Sequence, residues 1–220
     1  LTIHLWLDRR FVKKNAIETY GKLEANPAAP RAVRPADPPQ RVARRVMLED
    51  PRAGKASIHR DYLVPSYSTA APLEAEALDL LAKIALDGPT SRLYKKLVVE
   101  DKVASSAGGS YMGSGLDSGK FSLYAIAADG ASLEKVEAAM DAVLADVAAN
   151  GVTAAELDRA KNGYVAEYIY ENDNQSSLAR RYGWGLSLGR TIPQIEGWPD
   201  EIRKVSLDDV KKAAATYIDA

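Results

Sequence analysis

The sequence contains no cysteine and only two histidines in 220 residues. Without Cys there is no disulfide, no thiolate zinc site, no iron–sulfur cluster and no Cys nucleophile. This absence assigns no compartment, because a cysteine-free chain persists in reducing and oxidising surroundings alike. Charge of one sign is missing too: 29 Lys+Arg stand against 30 Asp+Glu, for a net charge of −1. No basic field exists to hold a phosphate backbone, so nucleic acid is not an expected partner. No apolar run approaches the roughly 18–20 residues of a membrane span, so no membrane contact is expected. Neither a signal peptide nor a Met opens the chain, and Leu1 begins directly on an apolar stretch. The expectation is a fragment or processed chain whose natural start lies upstream.

Several motifs are also missing. The stretch Gly108-Gly109-Ser110-Tyr111-Met112-Gly113-Ser114-Gly115 has no Gly-Lys-Ser/Thr and leads into no helix, so it is not a phosphate loop. Gly113-Ser114-Gly115 lacks the spacing of a nucleophile elbow. His4 and His59 are 55 residues apart, each alone on an expected strand. Neither has a partner at a metal-binding helical spacing, and a structural or surface histidine is the plainer reading.

What is present is ordinary globular material: 46% hydrophobic and 27% charged residues, in a chain long enough to bury a core. Leu1 to Leu7 alternates as a strand, and Arg10 to Tyr20 reads as a short helix with Gly21 as its C-terminal cap. Together they look like the tail of a preceding domain, residues 1–25. Residues 26–40 hold five of the eleven prolines and read as a semi-rigid linker. Residues 41–220 form the main domain. Arg44 to Glu49 and Ala56 to Val64 read as strands around a turn at Asp50 to Gly54. Pro72 to Leu86 carries a helical stripe of Leu73, Ala77, Leu80, Leu81, Ile84 and Ala85, and Gly88-Pro89 breaks it. Ser91 caps a second helix, Arg92 to Glu100. Val103 to Gly113 and Lys120 to Ala128 read as strands, with Phe121, Leu123, Ala125 and Ala127 on one face. The remainder is helical, over about Leu133 to Asn150, Thr153 to Tyr170, Gln175 to Leu188 and Ser206 to Ile218. Gly151 and Gly189 end two of these helices, and Thr153-Ala-Ala-Glu156 is a capping box. Strands first and helices last argue an α+β fold, a mostly antiparallel sheet with helices packed on one face.

Four groups could carry chemistry. The carboxylates, among them Glu74, Glu76, Asp79, Glu137 and Glu156, fall on helix faces where solvated ion pairs are the default. Arg92 opens a helix after a Gly-Pro break and could meet a carboxylate or a peptide C-terminus. The plainer reading is that it ties two local elements together. Tyr164, Tyr168, Tyr170, Tyr182, Trp184 and Trp198 form an aromatic group more typical of a core or an interface than of a ligand site. Gly108 and Gly109 mark a strand that another backbone can approach closely.

The chain resembles one family, the insulinase/pitrilysin-type zinc peptidases or inverzincins. The resemblance is carried by Tyr62-Leu63-Val64-Pro65-Ser66, the helix Glu74 to Leu86, Gly88 to Val98 and Val103-Ala104-Ser105-Ser106. It continues through Thr153 to Lys161, Ser177-Leu178-Ala179-Arg180-Arg181-Tyr182-Gly183 and Val205 to Val210. These pieces, in order, cover nearly the whole chain. Leu1 to Leu23 resembles the last strand and helix of a preceding repeat.

The resemblance implies a subunit of two similar α+β domains. The first carries an H-x-x-E-H helix and a downstream Glu that bind zinc; the second carries no zinc ligand and walls a chamber that admits unfolded peptides. This chain matches the second domain and holds no H-x-x-E-H. It is therefore expected to have no catalytic residue, no metal of its own and no activity alone, with zinc in the upstream half. Members with an Arg/Tyr pair in the second domain carry it where this chain has Val98 and Ser105. The implied partners are the chain's own N-terminal zinc domain, a peptide substrate, and either a second subunit bearing the Arg/Tyr pair or a second copy. An alternative is a non-catalytic scaffold or peptide-binding subunit of the same family, and a further one an unrelated α+β ligand-binding domain. Periplasm and cytoplasm both stay open. Peptide is expected to add to a sheet edge at Ala107 to Gly113, with Arg92, Gly108 and Gly109 as binding residues.

Overall fold

The computed structural model describes residues 8–24, 35 and 40–218. The expected strand Leu1–Leu7, with His4, lies outside these residues, as does the proline-rich stretch apart from Pro35 and Gln40. Helix α1, Arg9–Thr19, starts where Asp8 accepts a hydrogen bond from the Arg10 amide, and no residue of it is buried. Gly21 does not cap it as expected; the helix tightens into a 3₁₀ turn, Tyr20–Lys22, that includes Gly21.

The sheet has three strands: β1, Ser57–Val64; β2, Ala104–Met112; and β3, Gly119–Ala127. Their order is β1-β3-β2, with both pairings antiparallel. Asp61 and Ser110 both stand opposite Ser122, and a bulge between Ala104 and Ser106 interrupts the start of β2. Burial alternates strictly along β3. Phe121, Leu123, Ala125 and Ala127 face the helices, because a strand's side chains point to opposite faces with period two.

The expected strand Arg44–Glu49 is not one. The segment carries no ladder, and Val46, Met47 and Leu48 are exposed. A β-prone sequence becomes a strand only where a partner strand supplies the ladder. The turn that follows forms as expected, with the Ala53 amide donating to the Asp50 carbonyl at 2.8 Å.

Helix α2, Glu74–Ala85, follows β1, and its first turn is completed by the Ala71 amide donating to Glu74 Oε2. It is buried almost all round rather than on one stripe, because the sheet, α5, α8 and α9 pack against it. Ser91 Oγ caps α3, Arg92–Tyr94, which runs on as a π-helical turn over Lys95–Glu100. Helix α4, Leu133–Asn150, buries Val136, Met140, Val143, Leu144 and Val147. It stops at Gly151, whose φ of +73° an L side chain would resist. The capping box at Thr153 and Glu156 opens α5, Ala154–Glu171. Then come α6, Gln175–Ser187; α7, Ile192–Glu196; α8, Trp198–Lys204; and α9, Leu207–Tyr217. The short α7 and α8 were not expected from periodicity. The capping box of Thr191 and Gln194 and the early prolines of both helices are the signals that mark them. Among the described residues no helix is long and apolar enough to cross a membrane.

Candidate functional site

Helices cover one face of the sheet and leave the other open. On the open face β1 presents His59 and Asp61, β3 presents Lys120, Ser122 and Tyr124, and β2 presents Ser106, Ser110 and Met112. A groove of about 540 Å³ lies over this face, bounded beyond β2 by Leu86 to Pro89 and Tyr94. The groove wall is amphipathic. His59 stacks on Tyr124 with ring centroids 6.0 Å apart, and Lys120 approaches Asp61 at 3.4 Å. The Tyr124 hydroxyl is 3.5 Å from Ser106 Oγ. Ser122 Oγ is buried and has no hydrogen-bond partner among the described residues. No strand pairs with the outer side of β2 among the described residues. Its backbone therefore has the polarity that a further strand would match.

The two glycines of β2 differ. A Cβ on Gly108 would meet the Tyr124 ring at 3.3 Å and the Leu86 carbonyl at 3.5 Å, close but tolerable contacts. A Cβ on Gly109 would lie 2.2 Å from the Ser122 carbonyl oxygen and 2.8 Å from Leu86 Cδ1, which no packing allows. The close approach that Gly109 permits is taken by β3 and by the end of α2.

Arg92 is engaged on three sides. Its Nε and Nη2 donate to the two oxygens of Glu156 at 2.9 and 2.7 Å, and Nη1 donates to Asp146 at 2.9 Å. The same Glu156 accepts from the Thr153 amide at 2.8 Å. The Arg92 guanidinium, and then the Thr153 hydrogen bonds, hold the Glu156 carboxyl down at about 2. Arg92 thus ties α3 to α4 and to the start of α5, and it borders neither the groove nor any other cavity described here. Val98 packs against the core, and Ser105 Oγ donates to the carbonyls of Ile126 and Ala127.

Sequence reasoning missed one polar centre. Glu76 and Asp79, expected on a solvated face, are turned inward because α2 is enclosed. The Tyr67 hydroxyl donates to Asp79 Oδ2 and accepts from Trp198 Nε1 at 2.6 Å. The Tyr164 hydroxyl donates to the Asp79 carbonyl at 3.1 Å. Burial pushes the Asp79 carboxyl up to about 7, and it also raises Glu76 and Tyr67. The signal in the sequence is the company Asp79 keeps, with leucines on both sides at positions 78, 80 and 81. Of the aromatic group, Tyr164 meets Trp198 edge-on at 5.6 Å and Tyr168 stacks on it at 6.0 Å. Tyr170 and Trp184 are exposed.

No three His, Asp or Glu side chains converge as a metal site among the described residues. His59 leans on an aromatic ring instead. The donors present do not fit zinc.

Residues 10–164 match the family model described as the peptidase M16 inactive domain. Comparison with curated protein sequences gives no match. Among solved structures, a protease from Helicobacter pylori is similar at 21% identity and a TM-score of 0.85, over 96% of this chain and 50% of that one. This chain thus spans half the length of that relative. A candidate zinc protease from Bordetella pertussis is similar at 25% identity and a TM-score of 0.64, over 74% of this chain and 87% of that one. The inactive peptidase domain of a candidate zinc protease from Bordetella parapertussis is similar at 24% identity and a TM-score of 0.66, over 76% and 89%.

Proposed function

Because the chain belongs to the peptidase M16 inactive-domain family, we propose that it is the non-zinc, C-terminal half of a zinc-dependent metalloendopeptidase acting on peptides or small unfolded proteins. The observation that carries this reading is the open sheet face. Its own helices cover one side of the sheet and leave the other as a groove bordered by β2, whose outer edge pairs with no strand among the described residues. Such a surface suits an extended chain, which can add main-chain hydrogen bonds along β2 between Ala107 and Met112. Gly108 leaves room on the groove side, and Gly109 lets β2 lie close against β3 and Leu86. Arg92 acts here by position, fixing the helices behind the strand.

No catalytic step is assigned to this chain. Zinc chemistry belongs to a companion half, which would polarise the scissile carbonyl and activate water. The relatives support a tandem arrangement. The longer Helicobacter chain is matched over 96% of this one, whereas the two Bordetella structures reach only 74% and 76%. In this reading helix α1, none of whose residues is buried, is the segment that would meet the preceding half. A second subunit with an Arg/Tyr pair, or a second copy, would complete the chamber, since Val98 and Ser105 stand where that pair would be.

The test compares three preparations for zinc content and cleavage of a quenched unfolded peptide: this chain, its companion half, and the two together. Cleavage and stoichiometric zinc are expected only when the companion is present. Cleavage by this chain alone, persisting after chelation, would sink the proposal. A companion that binds no zinc would make the whole protein a peptide-binding scaffold.

A further inference from the structure

A second cavity, of about 270 Å³, opens at the end of the sheet between α6, the hairpin joining β2 to β3, and the loop after β1. Its charge is unlike that of the rest of the molecule. Arg180, Arg181 and Arg190 line it with Glu171 as the one carboxylate, a local balance of +2 (three minus one) in a chain whose net charge is −1.

The three arginines are not equivalent. Arg181 is spent: it donates to Glu171 at 2.6 Å and to Asn172 at 2.9 Å, and it lies over the Tyr168 ring at 3.8 Å. Arg190 is held but not neutralised by direct contact. Its guanidinium lies over the Tyr67 ring at 4.7 Å, and one Nη2 bond reaches the Gln194 carbonyl at 2.9 Å. Its remaining N–H groups have no partner among the described residues. Arg180, exposed, meets no carboxylate among them. Two acids lie behind Tyr67, but burial disfavours the charged form of both Glu76 and Asp79. Arg190 nonetheless interacts electrostatically with both, so part of its charge is offset from behind the ring. Ser68 and Ser114 add neutral donors, and the half-exposed indole of Trp184 forms an apolar wall.

We propose that this cleft binds a carboxylate of a peptide, taken between Arg190 and Arg180 with the serine hydroxyls completing its hydrogen bonds. A planar fork already stacked on an aromatic ring loses little freedom when it pairs with a carboxylate. The volume fits one terminal or acidic residue and is small for a nucleotide. That the carboxylate comes from a peptide rests on the function proposed above, whereas the anion site stands on its own residues.

The test is calorimetric titration of the intact protein with four probes. These are a short peptide with a free C-terminus, the same peptide amidated, an amidated peptide with one internal Glu, and inorganic phosphate. The free-acid peptide is expected to bind at least about tenfold more tightly than the neutral amidated one, with binding weakened by salt. The internal-Glu peptide separates a side-chain carboxylate from a chain terminus as the source. Arg190→Gln and Arg180→Gln are each expected to weaken binding about five- to tenfold. Arg180 is exposed and unpaired, so Arg180→Gln keeps its fold even if Arg190→Gln does not. Equal binding of the amidated and free-acid peptides, or no loss in Arg180→Gln, would overturn the site. Phosphate binding as tightly as the peptide would overturn the carboxylate assignment. Because no cleavage is read, failure of the peptidase reading leaves this result interpretable.

Discussion

The two faces of the sheet are built from the same nine residues of β3 and end differently. On one, Phe121, Leu123, Ala125 and Ala127 are sealed by α2, α4 and the turn after α3. On the other, Lys120, Ser122 and Tyr124 line a groove that nothing else in the described chain fills. The closed face accounts for the stability of the domain, through apolar area removed from water and close packing. The open face contributes little to stability and is available for recognition. One strand thus serves packing on one side and an open groove on the other.

The largest expected break in this comparison is on the closed face. Leu123→Ala should cost about 2–5 kcal/mol in urea unfolding, as a cavity in a packed core. Gly109→Ala should follow, at roughly 1–3 kcal/mol, because the new methyl has no space against β3. Gly108→Ala, one residue away and on the groove side, should cost less than about 1 kcal/mol. A larger loss at Gly108 than at Gly109 would show that the strand is turned the other way. Arg92→Gln should cost about 1–2 kcal/mol by removing charged hydrogen bonds that hold α3, α4 and α5 together. That loss should shrink in acid. The Glu156 carboxyl is depressed to about 2, so its contribution is full above its ordinary value near 4.5 and fades as pH falls from there towards 2.

Asp79→Asn sharpens the contrast through pH. The native Asp79 carboxyl is raised to about 7, so the folded state holds a proton that the unfolded state has released. Stability should therefore fall as pH rises from about 4 to 7, and the Asn variant should lose that slope. An unchanged slope in thermal melts across this window would place the titration elsewhere. The smallest effect is expected on the open face. Ser122→Ala should change stability by no more than about 1 kcal/mol, since its hydroxyl has no partner to lose.

Most of the architecture was legible because it rests on local signals. The alternation of β3, the capping box at Thr153 and the stop at Gly151 are each decided within a few residues. Arg44–Glu49 was not legible, because a strand depends on a distant partner. The enclosure of Asp79 depends on Tyr67, Tyr164 and Trp198, which lie 12, 85 and 119 residues away in sequence. Neither cavity was visible in the sequence as a unit. The groove draws on three strands and the loop after α2, and the arginine cleft on elements from Tyr67 to Arg190. The glycines of β2 were recognised as a place of close approach, but only the folded chain shows that Gly109 serves its own sheet.

The bulge at the start of β2 sets a length. An added strand can follow a regular ladder only where its neighbour's backbone is itself regular, here from Ser106 to Met112. Seven residues at about 3.3 Å each give a track of roughly 23 Å. A peptide added there, as proposed, would find a matching ladder over that span whatever its composition. On the proposed reading, that span would set the length of peptide held, independent of side-chain recognition.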